Sequence, residues 1–491
     1  MPNYYPRRIQ PADSLLYDAQ GNLVGLRSGT SGDEAIFGLS ASELAATQAL
    51  VSAPWNQSPV SFDAAVARMC VFGQFNDGGY LCTDGDASRG NFATRLYKLV
   101  GDPTGAFTAT AFAATATVVN LKDTTGAAAF NASSGLLNAW VASNGDMFYM
   151  WLNSATNRCY LHRAKAGTGT VGTDAGYSNN QACIDIGRMG GTHSPNIRTF
   201  NPRGFLDFTN SAGQRTILFT EYNINGARDM NGGVGDQAIV WRSLDGGATF
   251  SVFLELNTAV GQHRIDHWHG VTIDPYTGMI YFLAGDNGDE NAILQWDGVS
   301  AAWAANSTWA QIAATPGWKV RTGSELLRYT DILFSPTCIY SIPDCDTEAA
   351  DGSSTAFVST VIDKSLQWVG TTAAVARQDN IPPAIAARGP RFSAIVSFIQ
   401  RADVRYLDIW TIDGHPENGA SWSLVTKLRT YKPDTVVTPR SFFVDQAGDL
   451  WCGGLYGTGT QFVPLTETQS GSSVRLRPVA RRPSVDVYNL T

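Results

Sequence analysis

The chain has 491 residues, of which 44% are apolar and 16% charged. That balance supports a sizeable core and excludes wholesale disorder. A net charge of −8 argues against sequence-specific nucleic-acid binding, and the absence of any run of 18 apolar residues argues against membrane insertion by a helix.

High glycine (49 residues), 11% aromatic residues and low charge make the composition of a many-turned all-β protein. The basic residues divide into 28 Arg and 7 Lys. Arg serves interfaces and planar anions where Lys mostly decorates solvent, so the skew points to an assembly subunit. The seven cysteines are scattered and show no CxxC metal spacing. Free thiols made in a reducing cytoplasm are expected, although Cys338 and Cys345 are close enough in sequence to pair. The first residues lack an apolar h-region, so no secretory leader is expected.

In chain order, residues 1–60 form a distinct zone. Leu15–Tyr17 and Leu23–Leu26 flank an Asp18/Gly21/Asn22 turn and predict a hairpin. Ser40 with Glu43 predicts a capped helix through Leu50. This zone is too small to enclose its own apolar residues. Residues 103–135 are rich in Ala, Thr and Gly and read as strands joined by a long turn. Over 61–465 one signature recurs: an apolar strand, an Asp/Asn-x-Gly turn, then an aromatic-rich strand. It appears at Ser143–Tyr149, Ile273–Tyr281 and Val444–Trp451. Spacings of roughly 45 to 60 residues fit four-stranded propeller blades, six or seven in number. Residues 466–491 carry four Arg, two Pro and then Val485, Val487, Tyr488 and Leu490. They read as an extended basic arm laid over a neighbouring subunit, with helix excluded by proline.

The sharpest local motif is Ser243-Leu-Asp245-Gly-Gly247-Ala-Thr249-Phe250, which resembles the Asp-box of sialidase-like (BNR-repeat) propellers. Thr411–Trp422 looks like a degenerate second copy. Residues 217–290 resemble that family further, through Glu221-Tyr222, Asp266-His267-Trp268-His269-Gly270, Asp274-Pro275 and Gly285-Asp286. The resemblance implies a propeller with a turn between outer strands at the box. It also suggests a polar funnel in which Glu221, Tyr222, His263, Asp266, His267, His269 and Asp286 bind a sugar. His-x-His pairs also suit zinc, but no third ligand is fixed, and neither a metal nor a cofactor is expected. The competing reading is a hydrogen-bonded inner-strand network. The early Arg-Ile-Pro motif of sialidases is missing, so no catalytic residue is named and an enzyme is not the favoured reading; a glycoside hydrolase is the form an enzyme would take.

Pro11–Gly25 and Ser40–Ala46 resemble the leading segment of tailed-bacteriophage virion proteins, notably tail fibres and appendages. The resemblance implies a virion structural protein made in the host cytoplasm, docked to tail or head proteins through residues 1–60. A homo-oligomer and a host-surface glycan partner are compatible with it. The alternatives are a sialidase-like glycan-binding or glycan-hydrolysing protein and an oligomeric tail-nozzle protein.

Overall fold

The computed structural model describes residues 14–17, 23–27, 34–36, 55–59, 69–84, 95–101, 116–120, 134–153, 158–167, 177–185, 202–221, 237–257, 265, 268–285, 291–303, 307–323, 327–343, 356–357, 360–371, 375–376, 385–388, 392–401, 404–413, 423–430, 439–455, 462–464 and 473–478. Nearly all of them lie in antiparallel strands or the turns between, and the fold is an all-β propeller.

Seven sheets of four or five strands follow one another among the described residues. Sheet 1 is Met69–Gln74, Tyr80–Asp84, Arg95–Leu99 and Ala116–Asn120; sheet 2 is Ser134–Val141, Met147–Asn153, Arg158–Ala166 and Tyr177–Asp185. Sheet 3 is Phe205–Thr209, Arg215–Thr220, Gln237–Ser243 and Ser251–Asn257. Sheet 4 is Trp268–Ile273, Ile280–Ala284, Ala292–Trp296 and Trp318–Thr322. Sheet 5 is Tyr329–Phe334, Cys338–Pro343, Thr360–Asp363 and Trp368–Thr371. Sheet 6 is Ile385–Arg388, Phe392–Arg401, Val404–Asp413 and Ser423–Thr430, with Phe462–Pro464 added at its edge. Sheet 7 is Pro439–Val444, Leu450–Leu455, Ser473–Pro478 and, outermost, Trp55–Pro59 from the other end of the chain.

First strands touch from sheet 1 to sheet 2, from sheet 3 through each sheet to sheet 7, and from sheet 7 back to sheet 1, so these strands are innermost. The core lies between sheet faces. Phe75, Leu81 and Tyr149 pack between sheets 1 and 2, and Trp140, Phe148, Phe219 and Trp241 between sheets 2 and 3. Phe253, Trp296 and Trp318 fill the gap between sheets 3 and 4, and Tyr281, Ile293, Phe334 and Ile362 that between sheets 4 and 5.

The recurring Asp/Asn-x-Gly signature is the connection from the innermost to the second strand. In sheets 1, 2, 3 and 7 the carbonyls of Phe75, Ala142, Asn210 and Asp445 accept from the N–H of Gly78, Gly145, Gly213 and Gly448. Those glycines have φ of +89°, +85°, +78° and +83°, the left-handed region that closes a three-residue hairpin loop at no steric cost.

Both proposed boundaries shift. The expected C-terminal arm, 466–491, contains a strand of sheet 7, Ser473–Pro478. Within it Leu476 is fully buried and Arg477 bonds Asp449, with Nη2 on Oδ2 at 2.5 Å. Residues 55–59, assigned by sequence to the docking zone, pair with that strand, Trp55 opposite Pro478 and Pro59 opposite Val474. The expected hairpin pairs Ser14–Tyr17 with Leu23–Arg27 and gains a third strand, Glu34–Ile36, in a sheet separate from the other seven. The helix expected at 40–50 and most of 103–135 lie outside the described residues, apart from the strand Ala116–Asn120. A short helix at Trp309–Ala314, capped reciprocally by Thr308 and Gln311, was missed. Cys82, Cys338 and Cys452 are free thiols, and Cys345 is outside the described residues.

Candidate functional site

Strand direction gives the ring two ends. The first-to-second and third-to-outermost connections share one, called here the turn end; the second-to-third connections lie at the other.

Of the residues expected to line a funnel, Glu221 and His269 are described, whereas Tyr222, His263, Asp266, His267 and Asp286 are not. Glu221 follows the second strand of sheet 3, opposite the turn end, and is 3% exposed. Its Oε1 accepts from Trp241 Nε1 at 2.6 Å, and its carbonyl accepts from the N–H of Trp268 at 3.1 Å. The first bond stays within sheet 3, and the second joins it to the innermost strand of sheet 4. His269 is fully buried in that strand, where a bulge spans Trp268 to Gly270. Its Nδ1 lies 2.8 Å from the Tyr329 carbonyl of sheet 5. The Glu221 carbonyl and the His269 ring thus engage neighbouring sheets, as members of an inner-strand network do.

Sequence reasoning missed a further pair nearby. Arg203, in the 3-10 turn Pro202–Gly204, places Nε 3.1 Å from both carboxylate oxygens of Asp331, a buried residue of sheet 5. A Cβ on Gly270 would come within 2.8 Å of Arg203 Cβ, so only glycine lets this turn cross the strand. The same turn touches the innermost strand of sheet 7, which places it on the inner side of the ring. No sequence spacing announces a pair 128 residues apart.

The turn end is built from polar side chains. Ser243–Phe250 joins the third and outermost strands of sheet 3. Asp245 Oδ1 accepts from the N–H of Ala248 and Thr249 at 2.9 and 3.0 Å, and Oδ2 from the Thr249 hydroxyl at 2.6 Å. Ser243 Oγ donates to Asp245 and accepts from the N–H of Gly247. Partial burial would raise the Asp245 carboxyl, but these donors outweigh it and hold the group at about 2. Gly247, at φ +91°, lies so close to sheet 2 that a Cβ would meet Phe148 Cζ at 2.2 Å.

The inner turns latch one sheet to the next. Gln446 of sheet 7 donates to Phe75 O at 3.1 Å, and Asn76 of sheet 1 donates to Ser143 O at 2.8 Å. The N–H of Ser143 then donates to Asp207 of sheet 3 at 2.6 Å. Tyr80 OH and Trp451 Nε1 both donate to Asp445 Oδ2 at 2.8 Å, bridging sheets 1 and 7. Lys364, between the third and outermost strands of sheet 5, reaches Asp274 in the first turn of sheet 4 at 2.8 Å. A continuous belt therefore crosses the place where the two ends of the chain meet.

Among the described residues no group of three His, Cys, Asp or Glu side chains could hold a metal ion, and no helix is long and apolar enough to cross a membrane.

No protein-family model matches the chain, and no curated protein matches it. Among solved structures it is similar to the β-propeller domain of the Trilobed protease from Pyrococcus furiosus, at 8% identity over 72% of this chain and 85% of that one, with a TM-score of 0.34. It is similar to a PL25 ulvan lyase at 10% identity, covering 84% and 94%, with a TM-score of 0.36. A third likeness is to the β-propeller domain of Vanderwaltozyma polyspora Nup133, at 8% identity over 96% and 95%, with a TM-score of 0.28.

Proposed function

We propose that this chain is a structural subunit of a bacteriophage virion, a tail fibre or appendage protein in which a seven-bladed propeller is the rigid body and the segment before residue 55 is the attachment. One observation carries the reading. Trp55–Pro59 completes sheet 7, and the three-stranded sheet of 14–36 pairs with none of the seven sheets. A segment rich in apolar residues thus shares no strand pairing with the ring. Burying each such side chain contributes roughly 1.5–3 kcal/mol, and a partner surface supplies the place. The resemblance of this segment to leading segments of tailed-phage proteins names the kind of partner, a tail or head protein.

The test is a chain lacking residues 1–50, which keeps the closing strand. It is expected to remain a folded propeller and to stop joining particles. Normal incorporation of the shortened chain would sink the proposal. A glycan array probed with the full chain addresses the sialidase-like alternative, with Glu221→Gln as the control for binding near the loops opposite the turn end.

A further inference from the structure

We propose that the connection between the second and third strands of sheet 4 binds a calcium ion, with the side-chain oxygen of Asn291 as one ligand. Such a site is independent of the attachment reading and needs neither a partner nor an oligomer.

What points to it is an enclosed amide with nothing to bond. Asn291 is fully buried, and neither its Oδ1 nor its Nδ2 has a hydrogen-bond partner. An amide in that state costs free energy unless a bound group completes it. Its place in the fold is specific. The strand Ile280–Ala284 runs into Gly285, Asn291 leads into Ala292–Trp296, and Ala284 pairs with Ala292. Gly285 and Asn291 are therefore the two feet of the connection, at the end of the ring opposite the turn end. A Cβ on Gly285, whose φ is +118°, would lie 2.5 Å from Asn291 Oδ1. The amide oxygen thus lies across the base of the connection, and only glycine leaves room for it there.

What the connection carries is read from the sequence. Residues 286–290 are Asp286-Asn-Gly-Asp289-Glu290 and lie outside the described residues. Asp286 follows one foot and Glu290 precedes the other, each a single peptide link away, about 3.8 Å between Cα atoms. With Asp289 they put three carboxylates in a run of five residues, while the sequence holds no Lys or Arg between Arg264 and Lys319. Arg321, on the outermost strand of the same sheet, is turned to the Leu366 carbonyl, 2.8 Å from its Nη1.

The needs of the two parts match. The amide lacks a positive partner for Oδ1 and an acceptor for Nδ2, and the run offers acceptors in excess but no cation. A hard divalent ion supplies the missing charge, held by Asn291 Oδ1 and by carboxylate oxygens of the run. A carboxylate that ligates the ion is also the natural acceptor for Nδ2. Calcium suits the set better than magnesium, because it takes roughly six to eight oxygens in flexible geometry whereas magnesium keeps several of its waters. The donors differ from the His-x-His pair that suits zinc, and the run contains neither His nor Cys. Asp286, expected from the family resemblance to line a sugar funnel, is assigned here to the ion.

The experiment is calorimetric titration of the EGTA-stripped full chain with calcium chloride, paired with thermal midpoints in EGTA, in calcium and in magnesium. The midpoint is expected to rise by a few degrees at about 1 mM calcium, and by less at the same concentration of magnesium. Asn291→Leu keeps the size of the side chain and removes both polar atoms. Its midpoint in EGTA is expected to match or exceed the parent's, because an unpartnered amide is gone, and its calcium response is expected to vanish. Asp289→Asn, a change within the connection, should weaken calcium at least about tenfold and leave the EGTA midpoint where it was. If Asn291→Leu does not fold, Asp289→Asn alone decides. A parent that binds no calcium overturns the proposal, because the chain then neutralises the run with its own side chains. A calcium response that survives Asn291→Leu or Asp289→Asn unchanged overturns it as well, because the ion then sits elsewhere.

Discussion

Asp245 shows how one side chain organises a turn. Its acceptors take two backbone N–H groups, the Thr249 hydroxyl and the Ser243 hydroxyl. Asp245→Ala should cost on the order of 1 kcal/mol by stranding those donors. The folded carboxyl lies at about 2, below its ordinary 3.8. A depressed folded value contributes stability that is present above 3.8 and lost as pH falls from 3.8 toward 2. The gap in thermal midpoint between the parent and Asp245→Asn should therefore shrink across that window and close near its lower edge; a gap independent of pH would contradict this account. Gly247→Ala is expected to be worse, because it adds strain at φ +91° to a collision with Phe148. Differential scanning fluorimetry should place it below Asp245→Ala in thermal midpoint. The turn was legible in the sequence because every partner of Asp245 lies within four residues. Arg203 with Asp331, and His269 with the Tyr329 carbonyl, were not legible. Each joins different sheets, and only the ring brings them together.

Among elements, the strand-turn-strand repeat was readable because apolar alternation and an Asp/Asn-x-Gly turn are local signals. The closing strand was not. Trp55-Asn-Gln-Ser-Pro59 has no apolar alternation, and its pairing partner lies more than 400 residues further along the chain. An outermost strand needs little apolar patterning, since one edge faces outward and its register comes from the neighbour. The same reasoning explains why Ser473–Pro478 read as an arm: two Arg and a Pro mask a strand in which Leu476 is fully buried and Arg475 and Arg477 face Asp449. Leu476→Ala should cost about 2–5 kcal/mol in chemical denaturation. Removing residues 1–60 should lower the thermal midpoint by several degrees relative to removing 1–50, because only the longer deletion strips an edge from sheet 7. Equal midpoints for the two deletions would show that the pairing of Trp55–Pro59 contributes nothing to the ring.

For the whole molecule, closure is non-covalent: both ends of the chain build sheet 7, and the belt from Gln446 through Asn76 and Ser143 to Asp207 fastens that sheet to its successors. A ring held this way owes its stability to sheet-to-sheet packing and the latches rather than to where the chain begins. Pro478 stands directly opposite Trp55 in the ladder, so a turn of a few residues can join them as a hairpin. A circular permutant with that junction, opened between Asn120 and Ser134, makes sheet 7 continuous in sequence and moves the break to the connection between sheets 1 and 2. It discards residues 1–54 and 479–491 and keeps all seven sheets. Loop closure grows only slowly with length, so the exchange of one break for another should change stability little. The permutant is expected to fold with a β-rich far-ultraviolet spectrum, a single cooperative transition and a midpoint within a few degrees of the chain lacking residues 1–50. Gln446→Ala in that background should lower the midpoint as it does in the parent, since the latch to Phe75 and Asn76 is unchanged. A permutant that fails to fold, or unfolds in separate steps, would mean that the order in which the chain supplies the two ends of sheet 7 is itself required for the ring.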